Sequence, residues 1–166
     1  ADLFAPALPL GHAGGRIGCF LNGCCYGRPT SEWLGVHYHA ASDIARVQQH
    51  KGLIEAGVQQ ALPVFPVQLV LSAVNLAIFG LLLTLEPRVH RKGQLFAIYM
   101  MLYAAGRFLA EFGRGDYLWT IGPFTPAQVI CLILLPAGLA TFLLLRRYGS
   151  PREAATNVAE KARQPT

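Results

Sequence analysis

The sequence predicts an all-α protein: a multi-pass transmembrane helix bundle with a small outward-facing soluble segment. Three observations predict it. The 166 residues are 53% hydrophobic and only 14% charged, where a soluble domain carries about a quarter charged. The apolar residues gather in long runs. The net charge of +5 sits at the flanks of those runs: segment 86–93 (Glu86, Arg88, Arg91, Lys92) and segment 146–166 carry all of it, and the remaining charges cancel. A nucleic-acid binder would show a basic stripe on a folded surface, so nucleic acid is not an expected partner. Membrane lipids are.

Taken in chain order, Leu3–Phe20 is the weakest candidate span. It is rich in Ala, Gly and Pro and contains His12 and Arg16. Its small residues permit close helix approach in lipid, and a broken or half helix fits it as well as a full span. The chain starts at Ala1 with no basic signal sequence before it, so a longer protein with a preceding N-terminal part is expected. Segment 23–65 is soluble in character. Within it, Trp33–Ala40 alternates enough for a short strand. Ser42–Gly57 has cap residues (Ser42, Asp43) and apolar positions at Ile44, Val47, Leu53 and Ile54, which suit a short amphipathic helix on the outer membrane surface.

Pro66–Leu85 is an uncharged run of 20 residues, which as a helix spans the ~30 Å core of a bilayer. Gln94–Phe112 is apolar until its end, and Pro126–Leu145 is again uncharged. Pro136 should kink the last span, which a bundle tolerates. Two spans separate the basic 86–93 loop from the basic tail, so both lie on one side. By the positive-inside rule that side, with the C-terminus, is cytoplasmic. The chain then divides into a membrane domain, 1–147, which includes the outward 23–65 segment, and a polar tail, 148–166.

Tyr99, Tyr103, Arg107 and Glu111 recur every four residues and Arg114 follows, forming one helical stripe. A charge inside a span is costly and faces a bundle interior or a wet cavity. At ~1.5 Å per residue, Arg107 lies roughly 7–8 Å inside the outer boundary. That is shallow enough to meet a lipid headgroup and too deep for a casual surface charge. Two readings follow: Arg107 and Tyr103 hold a phosphate, or Arg107 and Glu111 merely lock the bundle. The first is favoured because Arg16 is a second arginine in an apolar setting, among Gly14, Gly15 and Gly18. Bare glycine N–H groups beside a guanidinium fork suit a phosphate. Arg114 at a span end is expected to snorkel. Gln68 is either a helix cap or a side chain reaching the site, and Asn22 is a turn residue.

Cys19, Cys24 and Cys25 crowd the stretch GRIGCFLNGCCYGRPT (15–30), while Cys131 lies alone. Zinc sites usually present two cysteine pairs; here there is one C-x₄-C-C group, so no metal and no cofactor is expected. A redox or metal-binding membrane protein using Cys24 and Cys25 remains the alternative. His37, His39 and His50 read as surface residues.

These residues resemble a known family. The 15–30 stretch is similar to the signature loop of bacterial prolipoprotein diacylglyceryl transferases, G-R-x-G-N-F-x-N-G-E-x-x-G-R, matching at Gly15, Arg16, Gly18, Phe20, Asn22, Gly23, Gly27 and Arg28. DLFAPALPLG resembles the segment before that loop. FPVQL (65–69) is similar to the family's H-P-x-Q-L, and YAAGRFLAEFGRGD (103–116) to its Y-x-x-x-R-F-x-x-E-x-x-R. The resemblance covers nearly all of 1–147, as the C-terminal part of the family. It implies a multi-pass protein of the bacterial inner membrane that transfers diacylglyceryl from phosphatidylglycerol to the lipobox cysteine of prolipoprotein signal peptides, releasing glycerol phosphate. It assigns Arg16, Arg107 and Tyr103 as catalytic residues, and Gly15, Gly18, Asn22, Arg28, Gln68, Glu111 and Arg114 to substrate binding. The chain departs from the pattern at Cys19 (asparagine), Cys24 (glutamate), Phe65 (histidine), Val70 (tyrosine) and Leu71 (glutamate), and it lacks the family's histidine-glycine motif. A phospholipid-binding relative without catalysis is the further alternative.

Overall fold

The computed structural model describes residues 2–39, 42–55, 60–115 and 120–151. The described residues form five α-helices and isolated β-bridges, without a strand. The helices are α1 (Ala7–Asn22), α2 (Asp43–His50), α3 (Val67–Leu85), α4 (Gln94–Glu111) and α5 (Pro126–Tyr148), and a 3-10 turn, Glu86–Arg88, extends α3. Two of them, α3 with its turn and α5, are long and apolar enough to cross a membrane. The expected third span is helical as α4. Gln94, Arg107 and Glu111 lie inside it, and these polar side chains set it apart from α3 and α5, whose charges sit only at their far ends.

α1 packs on α3, α3 on α4, and α4 on α5. The ends are tied in two clusters. At one end Asp2 reaches the start of α4, its carboxylate accepting from Gly93 N–H (2.7 Å) and Phe96 N–H (3.2 Å). An anion there satisfies helix-terminal donors and meets the positive end of the helix dipole. The basic loop joins the same end: Arg91 Nη1 donates to Gly149 O (2.7 Å) and Lys92 N–H to Ser150 O (3.0 Å). At the other end Arg28 N–H donates to Gly113 O (3.2 Å), just past α4. The chain from Asp2 to Arg28 therefore runs alongside the whole of α4, as a continuous helix over Ala7–Asn22 rather than a broken one. α5 passes through Pro136 unbroken. Of the expected tail, residues 152–166 lie outside the described residues.

Between α3 and α4, Leu82, Leu95, Tyr99 and Ile78 are buried with Ala5. A second core, Tyr26, Ile44, Ala45, Ala61 and Val64, holds the 23–65 segment together. Its helix α2 starts where expected, with Ser42 Oγ accepting from Ala45 N–H (3.3 Å), the usual N-cap arrangement. It ends at His50, before Gly52 (φ 67). The expected strand over Trp33–Ala40 is not formed over its described residues, 33–39; Ala40 lies outside them. Val36 pairs with Val64 and His39 with Gln60 as single bridges, too few to extend into a ladder.

Candidate functional site

The site is built at the end of the helices where α1 stops. Asn22 closes α1 and Gly23 turns left-handed (φ 69). Gly23 N–H donates to Phe20 O and Cys24 N–H to Cys19 O, the paired bonds of a Schellman cap. The chain then threads between two others. Gly27 N–H donates to Phe65 O (3.0 Å), Phe65 N–H to Arg28 O (3.0 Å), and Gly115 N–H to Tyr26 O (3.2 Å). The approach is close enough to demand glycine: a Cβ on Gly27 would lie 2.5 Å from Phe65 O, and one on Gly115 2.6 Å from Gly27 O. Three distant parts of the sequence, 23–30, 63–68 and 113–115, thus meet at one junction.

Arg16 from α1, and Tyr103 and Arg107 from α4, line one cavity of about 10 Å³ together with His12, Leu71, Val74, Asn75 and Ile78. That is room for roughly one water, so a phosphate enters only if the arginine side chains swing apart. His12 Nδ1 lies 3.2 Å from Tyr99 Oη, and its ring lies 5.0 Å from that of Tyr103. Asn75 donates through Nδ2 to Leu71 O (2.7 Å), and its buried Oδ1 has no hydrogen-bond partner among the described residues. Buried polar atoms are usually matched, so this oxygen stands out on a residue lining a cavity with two arginines.

Arg107 also faces the other way. Its Nη1 lies 2.7 Å from Glu111 Oε2, with side chains 11% and 0% exposed. The approach is close but off-axis, so charge rather than an aligned hydrogen bond holds the pair. Arg114 Nη1 sits 3.9 Å from the same oxygen and is as buried as Arg107. Thr125 Oγ1 donates to Glu111 Oε1 (3.3 Å). The bundle-lock arrangement is therefore present, and Arg107 belongs to both it and the cavity. Arg114 does not snorkel, because the bridge between Gly27 and Arg114 turns the chain back over the end of α4.

Other expected residues divide by location. Arg28, Glu111 and Arg114 line a separate open groove of about 610 Å³ with Lys51, Thr125 and Gln128. Gln68 is buried under the loop, donating through Nε2 to Cys24 O (2.8 Å). It clamps the loop and does not line the cavity. Gly15 and Gly18 are mid-helical and a Cβ on either would meet open space. Their N–H groups serve the helix ladder, so they are not phosphate donors; that expectation is corrected. Asn22 is exposed at the cap. Tyr38 Oη donates to Phe20 O (3.0 Å). Burial, then the charge of Cys24, pushes its hydroxyl pKa up.

Two contributions escaped the sequence reading. Ser72 and Asn75 are buried on α3 beside the expected Gln68, completing a polar stripe at i, i+4, i+7 in an otherwise apolar run. Ser72 Oγ donates to Ala13 O (3.1 Å) and so binds α1 to α3. Thr125 and Gln128 form a full capping box at the start of α5, legible as T-x-x-Q before an apolar run. The cysteines, read as lacking a second pair, converge in space: the Sγ atoms of Cys19, Cys24 and Cys25 lie within 4.8 Å of one another. His12 does not join them.

The model of the prolipoprotein diacylglyceryl transferase family matches residues 1–144. The chain is 34% identical over 142 residues to phosphatidylglycerol–prolipoprotein diacylglyceryl transferase 2 of Clostridium perfringens, covering 86% of this chain and 50% of that protein. It is 31% identical over 141 residues to the enzyme of Clostridium tetani (85% and 51%), and 38% identical over 160 residues to that of Paenarthrobacter aurescens (94% and 48%). The chain spans about half the length of the curated relatives it matches. The family model matches most of the chain, and the chain belongs to the prolipoprotein diacylglyceryl transferase family.

Proposed function

We propose that the protein transfers diacylglyceryl from phosphatidylglycerol to the cysteine thiol of a prolipoprotein signal peptide. The thiol gives up its proton to water, its sulfur bonds to the glyceryl carbon, the C–O bond to phosphate breaks, and that bond's electron pair leaves on glycerol phosphate. One observation carries this reading: Arg16 and Arg107, on different helices, line one cavity with Tyr103 between residues of the family pattern. Once the side chains part to admit a phosphate, two cations beside it stabilise the charge that develops in the transition state. Asn75 Oδ1 is placed to accept a headgroup hydroxyl. Arg28 and Arg114 belong to the neighbouring groove, which suits the peptide substrate.

The same reading places 1–147 as a multi-pass domain of the bacterial inner membrane. Segment 23–65 then faces the periplasm and the 148–166 tail the cytoplasm. The gathering of Arg88, Arg91, Lys92, Arg146 and Arg147 toward the end opposite the cavity supports that orientation. In the test, the complete membrane protein is given phosphatidylglycerol labelled in its headgroup and a lipobox peptide. Labelled glycerol phosphate released only when both are present is the expected result. Lipid bound without release points instead to a phospholipid-binding relative, and neither binding nor release overturns the reading.

A further inference from the structure

We infer that Cys19, Cys24 and Cys25 form a three-thiolate site for one zinc ion, whose fourth position is open to a substrate thiol. The three Sγ atoms already lie within 4.8 Å of one another. A tetrahedron with Zn–S bonds of ~2.3 Å has an edge of roughly 3.8 Å, so each thiol need close by about 1 Å or less. The backbone is set to present them. The Schellman turn returns Cys24 beside Cys19, with Cys24 N–H on Cys19 O at 3.1 Å. Cys25 holds φ 57, the one positive φ outside glycine among the described residues, a conformation a side-chain-bearing residue adopts only when its surroundings impose it. Gln68 Nε2 pins the Cys24 carbonyl at 2.8 Å. All three cysteines are free and half-buried, shielded yet reachable.

The chemistry of the donors selects the ion. An all-thiolate set is soft and suits zinc, and three protein ligands with one vacancy are the pattern of zinc sites that act on a substrate. Three thiolates around a dication leave one negative charge. Arg16, one helical turn before Cys19, balances it. Two residues of the triad, Cys19 and Cys24, are places where the chain departs from its family's pattern.

The use of the vacancy rests on the transferase reading. A substrate thiol bound there loses its proton to water and becomes a nucleophile at neutral pH. Cys19 stands one helical turn from Arg16, so a sulfur held with it would be near the cavity that Arg16 lines.

The experiment uses the complete protein purified under reductant without chelator. Metal analysis should find about one zinc per chain, and Cys19→Ser, Cys24→Ser and Cys25→Ser should each lose it, while Cys131→Ser keeps it. Cobalt(II) in place of zinc should give a thiolate charge-transfer band. A lipobox cysteine peptide should raise that band by about one third, as three thiolates become four, and the serine peptide should not. No zinc and no cobalt band in wild-type protein, or a disulfide among the three cysteines, overturns the site. A band indifferent to the cysteine peptide overturns the open position. Glycerol phosphate release by metal-free protein sinks this inference alone; zinc and a peptide-dependent band without release sink the transferase reading alone.

Discussion

Replacing Glu111 by glutamine removes one charge from a cluster of three and keeps its shape. The carboxylate is fully buried, with Arg107 at 2.7 Å and Arg114 at 3.9 Å. At an effective dielectric of about 20, these separations of 2.7 and 3.9 Å correspond to attractions of roughly 6 and 4 kcal/mol. Desolvation of the three groups offsets much of that, but it is not recovered when only the carboxylate is neutralised. Arg107 then loses the carboxylate it faces inside the bundle, and breaking a buried pair from one side costs about 3–5 kcal/mol. At ~2–4 °C per kcal/mol for a chain of 150–250 residues, the melting temperature of the purified protein in detergent should fall by roughly 6–20 °C. The double replacement Arg107→Met with Glu111→Gln removes the stranded charge, and should recover at least ~1–2 kcal/mol of the loss. The reasoning is refuted if Glu111→Gln costs less than ~1 kcal/mol, or if the two replacements simply add.

Three further outcomes are expected. Gly27→Ala or Gly115→Ala drives a methyl into backbone 2.5–2.6 Å away; the junction should open, costing ~1–3 kcal/mol and exposing segment 23–65 to limited proteolysis. Asn75→Leu removes an unmatched buried oxygen and so should leave the melting temperature unchanged or raised; if Asn75 accepts a headgroup hydroxyl, KM for phosphatidylglycerol should rise about tenfold, equivalent to ~1.4 kcal/mol. Tyr38 bears on pH. Its hydroxyl is held neutral above the usual tyrosine value of 10, so its contribution to stability is complete below pH 10 and is lost as pH rises through the raised folded value. Melting curves at pH 8 and pH 11 should therefore converge more closely for Tyr38→Phe than for wild type.

The helices were legible because their signals are local. Pro66–Leu85 and Pro126–Leu145 are uncharged runs of membrane length, and α3 and α5 occupy them almost residue for residue. Ser42 announced α2, but the apolar positions Leu53 and Ile54 suggested a longer helix than Gly52 permits. Arg16 and Arg107 stood out because charge inside an apolar run is expensive, and the fold does bring them to one cavity. What the sequence hid is long-range. Nothing near Gly27 says that Phe65 and Gly113 will close on it. Nothing at the start of the chain says that Asp2 will cap a helix more than ninety residues away. Arg114 looked like a span-end anchor because its pairing with Glu111 depends on the turn after α4. The cysteines looked unpaired because their spacing was counted along the chain, while the Schellman turn folds Cys24 and Cys25 back toward Cys19.

The central claim is that Arg16 and Arg107 together hold the phosphate that leaves. Glycerol phosphate release from phosphatidylglycerol by Arg16→Lys, Arg107→Lys and the double variant in the complete protein tests it most directly. Each lysine keeps the charge and loses the guanidinium fork. Each single variant should retain its fold and lose about 10²–10³ in kcat, the cost of removing one transition-state donor. The double variant should lose less than the product of the two, because both act on one phosphate. Release at wild-type rates from either folded variant would contradict the account.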